Sequence, residues 1–278
     1  MEHLKLKKRG LKTDPAVILA GFGTTVASQG IYEKIGSMLQ TEFKDTRFTW
    51  AYTSEIIREK KDIPGIYESI AQLEKEGFRK MIVQPLHLFP ATEYRVLESV
   101  CNSFADLRVI MGETLGHRWP YIEKLFEIVS VDFLTADQGL NLVIAHGSPL
   151  AAEPANVIYQ GLDLYCEKMW DNLLFATVDG LPTIEMMLRQ LERNNLSATF
   201  PKARIFPFMM TSGKHVKEDL LVDDGCLKQK LEELGFEVDT PIHQSNGESI
   251  PKALGYYDDI ISLLVERLKR SLDLLIYY

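Results

Sequence analysis

Twice in this chain a run of apolar residues stops abruptly at a glycine turn. Ala16-Val17-Ile18-Leu19-Ala20 runs into Gly21-Phe22-Gly23, and Leu142-Val143-Ile144-Ala145 runs into His146-Gly147-Ser148-Pro149. Apolar runs this short, bounded by turn residues, read as buried strands rather than helices. Residues at helical spacing follow each one: Ile31, Ile35, Met38 and Leu39 after the first, Ile158, Leu162 and Tyr165 after the second. Strand, glycine turn and helix in that order commit the chain to an α/β architecture with parallel sheets.

The order continues on both sides of a break at Thr135-Ala136-Asp137-Gln138-Gly139. Before it, strands are predicted at 48–52, 80–88 and 107–110; after it, at 142–146, 173–178 and 203–210. Asp62 as N-cap, Pro64 in the first turn and Ile66, Ile70 and Leu73 on one face predict a helix closed by Gly77. Leu227, Leu231 and Leu234 line a short helix ended by Gly235, and Ile261, Leu264, Leu268, Leu272 and Leu275 line a last one that packs on the sheet. The two halves also match at separated positions: Phe22-Gly23-Thr24 with His146-Gly147-Ser148, Pro85 with Pro207, Glu93 with His215, and Thr53 near Asp179. The expectation is two similar Rossmann-like lobes, 1–137 and 138–278, with parallel sheets flanking a cleft to which each contributes its strand ends.

Several function classes fall away on charge and composition. A formal charge of -8 over 278 residues argues against a nucleic-acid groove or an anionic membrane surface as partner. The basic start Lys5-Leu6-Lys7-Lys8-Arg9 leads into the polar Gly10-Leu11-Lys12-Thr13-Asp14-Pro15, unlike a secretory signal, and no stretch reaches the roughly 20 apolar residues of a membrane span. A cytoplasmic protein with a frayed N-terminus is expected. Cys101, Cys166 and Cys226 are widely separated, which gives neither a disulfide framework nor a thiolate cage.

Ligands of open α/β sheets collect at the carboxyl ends of the strands. His146, Asp179 and His215 stand at such ends in one half, and Glu93 with His87 in the other. Two imidazoles and a carboxylate from three loops suit a first-row divalent ion such as cobalt, nickel, iron or zinc. Each residue also has a plainer reading: His146 as a strand-capping histidine, His87 as a core histidine within its strand, Glu93 and His215 as exposed helix starts, and Asp179 as an N-cap. No His-Glu-x-x-His helix is present, Val26 removes the third glycine of a dinucleotide fingerprint, and neither half carries a Gly-Lys-Ser/Thr phosphate loop. Without a Gly-x-Ser-x-Gly elbow, Ser148 reads as a helix cap rather than a nucleophile.

The blocks that carry these residues are Val17 to Thr24, Trp50-Ala51-Tyr52-Thr53-Ser54 with Ile57-Arg58, Gln84-Pro85-Leu86-His87 leading to Glu93-Tyr94, Ala145-His146-Gly147, Val178-Asp179-Gly180-Leu181-Pro182, and Pro207-Phe208-Met209-Met210 leading to Gly213-Lys214-His215. In this order they resemble the anaerobic sirohydrochlorin cobaltochelatases of cobalamin synthesis. The resemblance implies a class II tetrapyrrole chelatase, a lyase that inserts Co2+ into sirohydrochlorin with no nucleotide and no cofactor beyond the ion itself. By position, His146 and His215 match the family's metal-site histidines and Glu93 its cleft glutamate. Asp179 stands where a glutamate ligand is common, a shorter carboxylate. Arg58, Arg95 and Lys214 are candidates for pairing with the substrate's carboxylates. Related proteins assemble into homo-oligomers, so self-association is expected. Ni2+ or Fe2+ as the inserted ion, or a non-catalytic tetrapyrrole or metal carrier on the same fold, are the alternatives.

Overall fold

The computed structural model describes residues 10–23, 29–213, 216–245 and 247–277. The chain divides into two compact units. One comprises Met1–Gly23, Ile35–His117 and Leu263–Tyr278; the other comprises Thr24–Lys34 and Arg118–Ser262.

The first unit is built on a four-stranded parallel sheet of β1 (Ala16–Gly21), β2 (Arg47–Tyr52), β3 (Lys80–Pro85) and β4 (Arg108–Met111), in the order β2-β1-β3-β4. The central β1 is buried along its whole length, because a strand paired on both edges and covered on both faces meets no water. Its Ala16, Ile18 and Ala20 pack with Met81 and Val83 of β3 against apolar residues of the helices. These are Ile66, Ile70 and Leu73 of α3 (Ile66–Lys75) and Leu97, Val100 and Cys101 of α4 (Thr92–Asn102). Ahead of β2 lies α1 (Gln29–Glu42), and between β2 and α3 a separate helix, α2 (Glu55–Lys61).

That extra helix corrects the reading of Asp62. The residue is not an N-cap; it closes α2 from the left-handed region at φ 50, and Gly65 precedes the first turn of α3. Short polar side chains favour both kinds of helix end, so the type of residue alone does not say which end it marks.

The second unit repeats the plan. After α5 (Trp119–Val129), β5 (Leu140–Gly147), β6 (Leu173–Asp179), β7 (Lys202–Pro207) and β8 (Glu237–Asp239) form a parallel sheet in the order β6-β5-β7-β8. The first, second, third and fourth strands of each unit thus take the same places, which is the physical form of the repeat seen in sequence. The helices α6 (Asn156–Met169), α7 (Ile184–Arg193) and α8 (Leu196–Thr199) connect β5, β6 and β7. A π-helical segment, Val216–Val222, and α9 (Leu227–Glu233) lead to β8, followed by the antiparallel hairpin β9 (Ile242–Ser245) and β10 (Glu248–Pro251) and by α10 (Asp258–Tyr277), which from Leu263 onward belongs to the first unit.

On one face of the second sheet, Leu142 and Ile144 pack with Met187 and Leu191 of α7, Ile205 of β7, Val216, Leu220 and Leu231. Elsewhere in the unit Phe126 stacks on Phe208 with centroids 5.0 Å apart and meets Tyr165 and Trp170 at 5.5 and 5.4 Å. Asn141 is a polar residue buried inside β5, and it is satisfied. Its amide accepts the Leu134 N–H at 2.8 Å and donates to the Leu134 carbonyl at 2.9 Å, which pins the connection from α5 to the sheet. The short edge strand β8 is held by charge as much as by its ladder: Arg204 makes a bidentate pair with Asp239 at 2.7 and 2.8 Å, and Lys202 reaches the same carboxylate at 2.9 Å. In α10, Ile261, Leu264, Leu268 and Leu275 are buried as their spacing predicts. Among the described residues, no helix is long and apolar enough to cross a membrane.

Leu142 is 0% exposed at the middle of the second sheet. Leu142→Ala is expected to lower unfolding free energy by about 2–5 kcal/mol through lost transfer energy and a residual cavity, measured as a fall in the urea midpoint at unchanged slope.

Candidate active site

At the carboxyl edge of the second sheet, β5 emerges from six buried residues to present an exposed His146 and then Gly147. Gly147 pairs with Asp179, the last residue of β6. Gly147 has φ 83, and a Cβ there would lie 1.7 Å from the Asp179 carbonyl oxygen; Gly180 has φ 99, and a Cβ there would lie 2.3 Å from the Ser148 carbonyl oxygen. The two turns therefore lie backbone against backbone, each glycine supplying the room and the left-handed turn the other needs. His146 and Asp179 are held on this interlock, one exposed and the other half-buried.

Local hydrogen bonds fix both residues further. His146 Nδ1 lies 3.3 Å from the Gly147 carbonyl, a contact that leaves Nε2 the outward lone pair when Nδ1 carries the proton. Past Asp179, the Thr177 N–H and hydroxyl both donate to the Pro182 carbonyl, at 2.8 and 3.0 Å, folding the loop back on β6. Thr183, not Asp179, caps α7, its hydroxyl accepting the Met186 N–H at 3.1 Å. Asp179 is thereby left for other work. Ser148 does not cap a helix either: its hydroxyl accepts the Leu150 N–H at 3.3 Å in a turn, and α6 starts only at Asn156.

His215 and Lys214 lie outside the described residues. The chain on either side of them is well anchored, with the Ser212 hydroxyl donating to the Pro251 carbonyl and Val216 fully buried at the start of the π-helical turn. Among the described residues, no group of three or more His, Cys, Asp or Glu side chains is arranged to hold a metal. Burial also raises the thiol pKa of Cys101, to about 12, and that of Cys166, which leaves both protonated and poor ligands.

At the carboxyl edge of the first sheet, β1 ends in a comparable turn: Gly23 has φ 93, and a Cβ there would lie 2.9 Å from Ile57 and from the Tyr52 ring. Thr53, just past β2, has its N–H on the Gly21 carbonyl at 2.9 Å and its hydroxyl 3.5 Å from the same oxygen and 3.5 Å from His87 Nε2. His87 sits two residues beyond the end of β3 rather than within the strand, since the ladder closes with Pro85 and the Leu86 N–H donates to Ala20 at 2.8 Å. Burial lowers the His87 pKa from 6.5 to about 4, with the nearby Glu93 carboxylate acting in the opposite sense. Glu93 is half-buried in the first turn of α4.

The suggested rim cations fare differently. Arg58 lies with its guanidinium against Gly65 and 3.5 Å from Glu68. Arg95 is exposed on α4. The contact of Thr53 with His87 was not visible in sequence, because it joins two strand ends 34 residues apart.

The comparisons with known proteins agree with the resemblance drawn from sequence. A family model described as cobalt chelatase (CbiK) matches residues 15–273. A sirohydrochlorin cobaltochelatase, CbiKC of Nitratidesulfovibrio vulgaris, is 21% identical over 248 residues, covering 84% of this chain and 83% of its own. Among solved structures, SirB from Bacillus subtilis with Fe3+ aligns over 93% of this chain and 96% of its own at TM-score 0.62 and 13% identity. CbiX, described as the terminal enzyme of siroheme biosynthesis in denitrifying bacteria, aligns over 92% and 99% at TM-score 0.53 and 16% identity.

Two outcomes follow from this geometry. Gly147→Ala forces a side chain into the Asp179 carbonyl and is expected to lower the melting temperature clearly, whereas Gly30→Ala, with open space around it, is expected to leave it within error. For His87 the unfolded chain binds a proton that the folded one refuses between pH 6.5 and about 4. Its contribution to stability is thus complete above that window and lost as pH falls through it, by on the order of 3 kcal/mol. Urea unfolding of wild type and His87→Gln across this range is expected to show a shallower acid loss in the variant.

Proposed function

This chain belongs to the CbiK cobalt chelatase family, and on that footing we propose that it inserts Co2+ into sirohydrochlorin. It is a class II metallochelatase by family, and the ion and the macrocycle are its substrates. The observation that carries the residue assignment is the interlock at the ends of β5 and β6, which holds an exposed imidazole and a carboxylate on adjacent strands.

Charge bookkeeping sets what the residues must do. A divalent ion enters the macrocycle as two pyrrole N–H protons leave, so the reaction needs a place to hold the ion and a place to put protons. In our reading His146 and Asp179, with His215, hold the ion through nitrogen and oxygen donors suited to cobalt. The carboxylate of Asp179 is one methylene shorter than a glutamate, and we assign it to the ion either directly or through a water. Glu93 accepts protons from the ring nitrogens. Exposed apolar side chains in the turns past β5 and β6, Leu150 and Leu181, support contact with a flat organic ring. Nickel or ferrous iron would be accepted by the same donors, so the choice of ion is a matter for measurement.

The test is anaerobic absorbance spectroscopy of sirohydrochlorin with Co2+, Ni2+ or Fe2+, each with wild type, His146→Ala, His215→Ala and no protein. Acceleration by wild type, greatest with Co2+ and reduced on the order of 100-fold in both variants, is the expected result. Macrocycle binding with no acceleration for any ion would identify a carrier and overturn the enzymatic reading. An unimpaired His215→Ala would remove that residue from the ligand set.

A further inference from the structure

The imidazole of His87 has no part in the reaction as described so far, yet its surroundings define its protonation in detail. The Thr53 hydroxyl lies 3.5 Å from the Gly21 carbonyl and 3.5 Å from His87 Nε2. A hydroxyl has a single proton to give and a carbonyl can only accept one. With the hydroxyl donating to Gly21 it accepts from the imidazole, the tautomer that carries the His87 proton on Nε2 and the lone pair on Nδ1. Nδ1 is buried and has no hydrogen-bond partner among the described residues. Leaving such an acceptor unpaired costs about 1–3 kcal/mol, and a native structure that bears that cost calls for a use of the atom. Glu93 follows six residues later, at the start of α4, and its carboxylate favours a positive charge on the ring.

We propose that Nδ1 of His87 receives the protons released by the macrocycle, with the Glu93 carboxylate passing each one to it and balancing the imidazolium that forms. This rests on the assignment of Glu93 as proton acceptor in the chelatase reading. In each transfer a pyrrole N–H bond breaks, and its electron pair stays on the nitrogen to bind the incoming ion. The proton ends in a new N–H bond at Nδ1. It then passes to water, so that two transfers accompany each ion and the imidazole returns to neutral between them. The weak basicity that burial imposes on His87 suits the second half of this cycle: a site that does not retain its proton is ready for the next. The anchored Nε2 keeps the ring from turning over, so the accepting atom is the same each time.

Two variants test this. His87→Gln keeps an amide that can donate to Thr53 and cannot be protonated, and His87→Ala leaves space for a small base. The readouts are kcat and KM for Co2+ insertion under anaerobic conditions, sirohydrochlorin affinity by absorbance titration, melting temperature, and the effect of added imidazole on His87→Ala relative to wild type at the same concentration. The expected result is a kcat lower on the order of 100-fold in both variants with KM, affinity and folding retained, and recovery of His87→Ala by imidazole. A His87→Gln variant with wild-type kcat overturns the proposal. So does a loss of kcat that imidazole does not restore, which would make His87 a packing residue only. Wild type that fails to outpace the protein-free control removes the chelatase reading itself, and the relay falls with it. Unimpaired variants beside an active wild type strike the relay alone.

Discussion

The close approach of two turns, Gly147 against Asp179 and Gly180 against Ser148, is the constraint on which the candidate site depends. Neither turn tolerates a side chain, because the space a Cβ would need is occupied by backbone carbonyl. Backbone does not move aside as the end of a flexible side chain can, so the spacing between the ends of β5 and β6 is set by the ladder itself. The backbone carrying such a pair of side chains is preorganised and has little conformational entropy left to lose. His146 and Asp179 gain their fixed relation from residues that carry no chemistry.

The same scaffold occurs twice, with strand orders β2-β1-β3-β4 and β6-β5-β7-β8 and a left-handed glycine at or just past the end of the first strand of each, Gly147 and Gly23. What differs is the set of side chains displayed. Where the second unit has the exposed imidazole of His146, the first has Phe22, and the second strand of the first unit is followed by the neutral Thr53. The residues we assign to the metal thus lie on one copy, while a carboxylate and a buried imidazole, Glu93 and His87, lie on the other. An imidazole that must bind a cation gains from exposure, since water stabilises the arriving charge. One that must release each proton it takes gains from burial, which weakens it as a base, and the low pKa of His87 is the direct consequence.

Much of this was legible in the sequence, and the parts that were not share a cause. Long apolar strands bounded by glycine announced β1, β5 and the parallel sheets, because burial on both faces needs continuous hydrophobic runs. The twofold recurrence of Gly-turn and Pro-strand landmarks pointed to the matching strand orders. Local signals failed where one residue serves opposite ends of an element. Asp62 closes a helix instead of opening one, and Ser148 makes a turn where a cap was expected. The strand carrying Leu86 and His87 was drawn too long, because an alternating pattern does not reveal where its partner strand runs out. The three residues of β8 have too few side chains to show a period at all, and their place is fixed by the Arg204–Asp239 pair, a contact between residues 35 apart. The places of His146 and Asp179 at strand ends were legible because strand ends can be located from sequence; the interlock and the Thr53–His87 contact depend on pairing across strands, which sequence spacing does not encode.

A protein that hands an ion on faces a demand that a metal-storing protein does not. It must bind well enough to collect the ion and weakly enough to lose it to four ring nitrogens. Thiolates would fail the second condition, and the three cysteines are buried, with burial raising the thiol pKa of Cys101 and Cys166. Imidazole and carboxylate, harder donors than thiolate, are the compromise: exchangeable and of intermediate affinity. Separating them from the proton acceptor serves the same end. A single imidazole that held the ion could not at the same moment take a proton, since both need the same lone pair. In the proposed assignment the ion and the proton therefore go to different groups, each with a burial that suits its task.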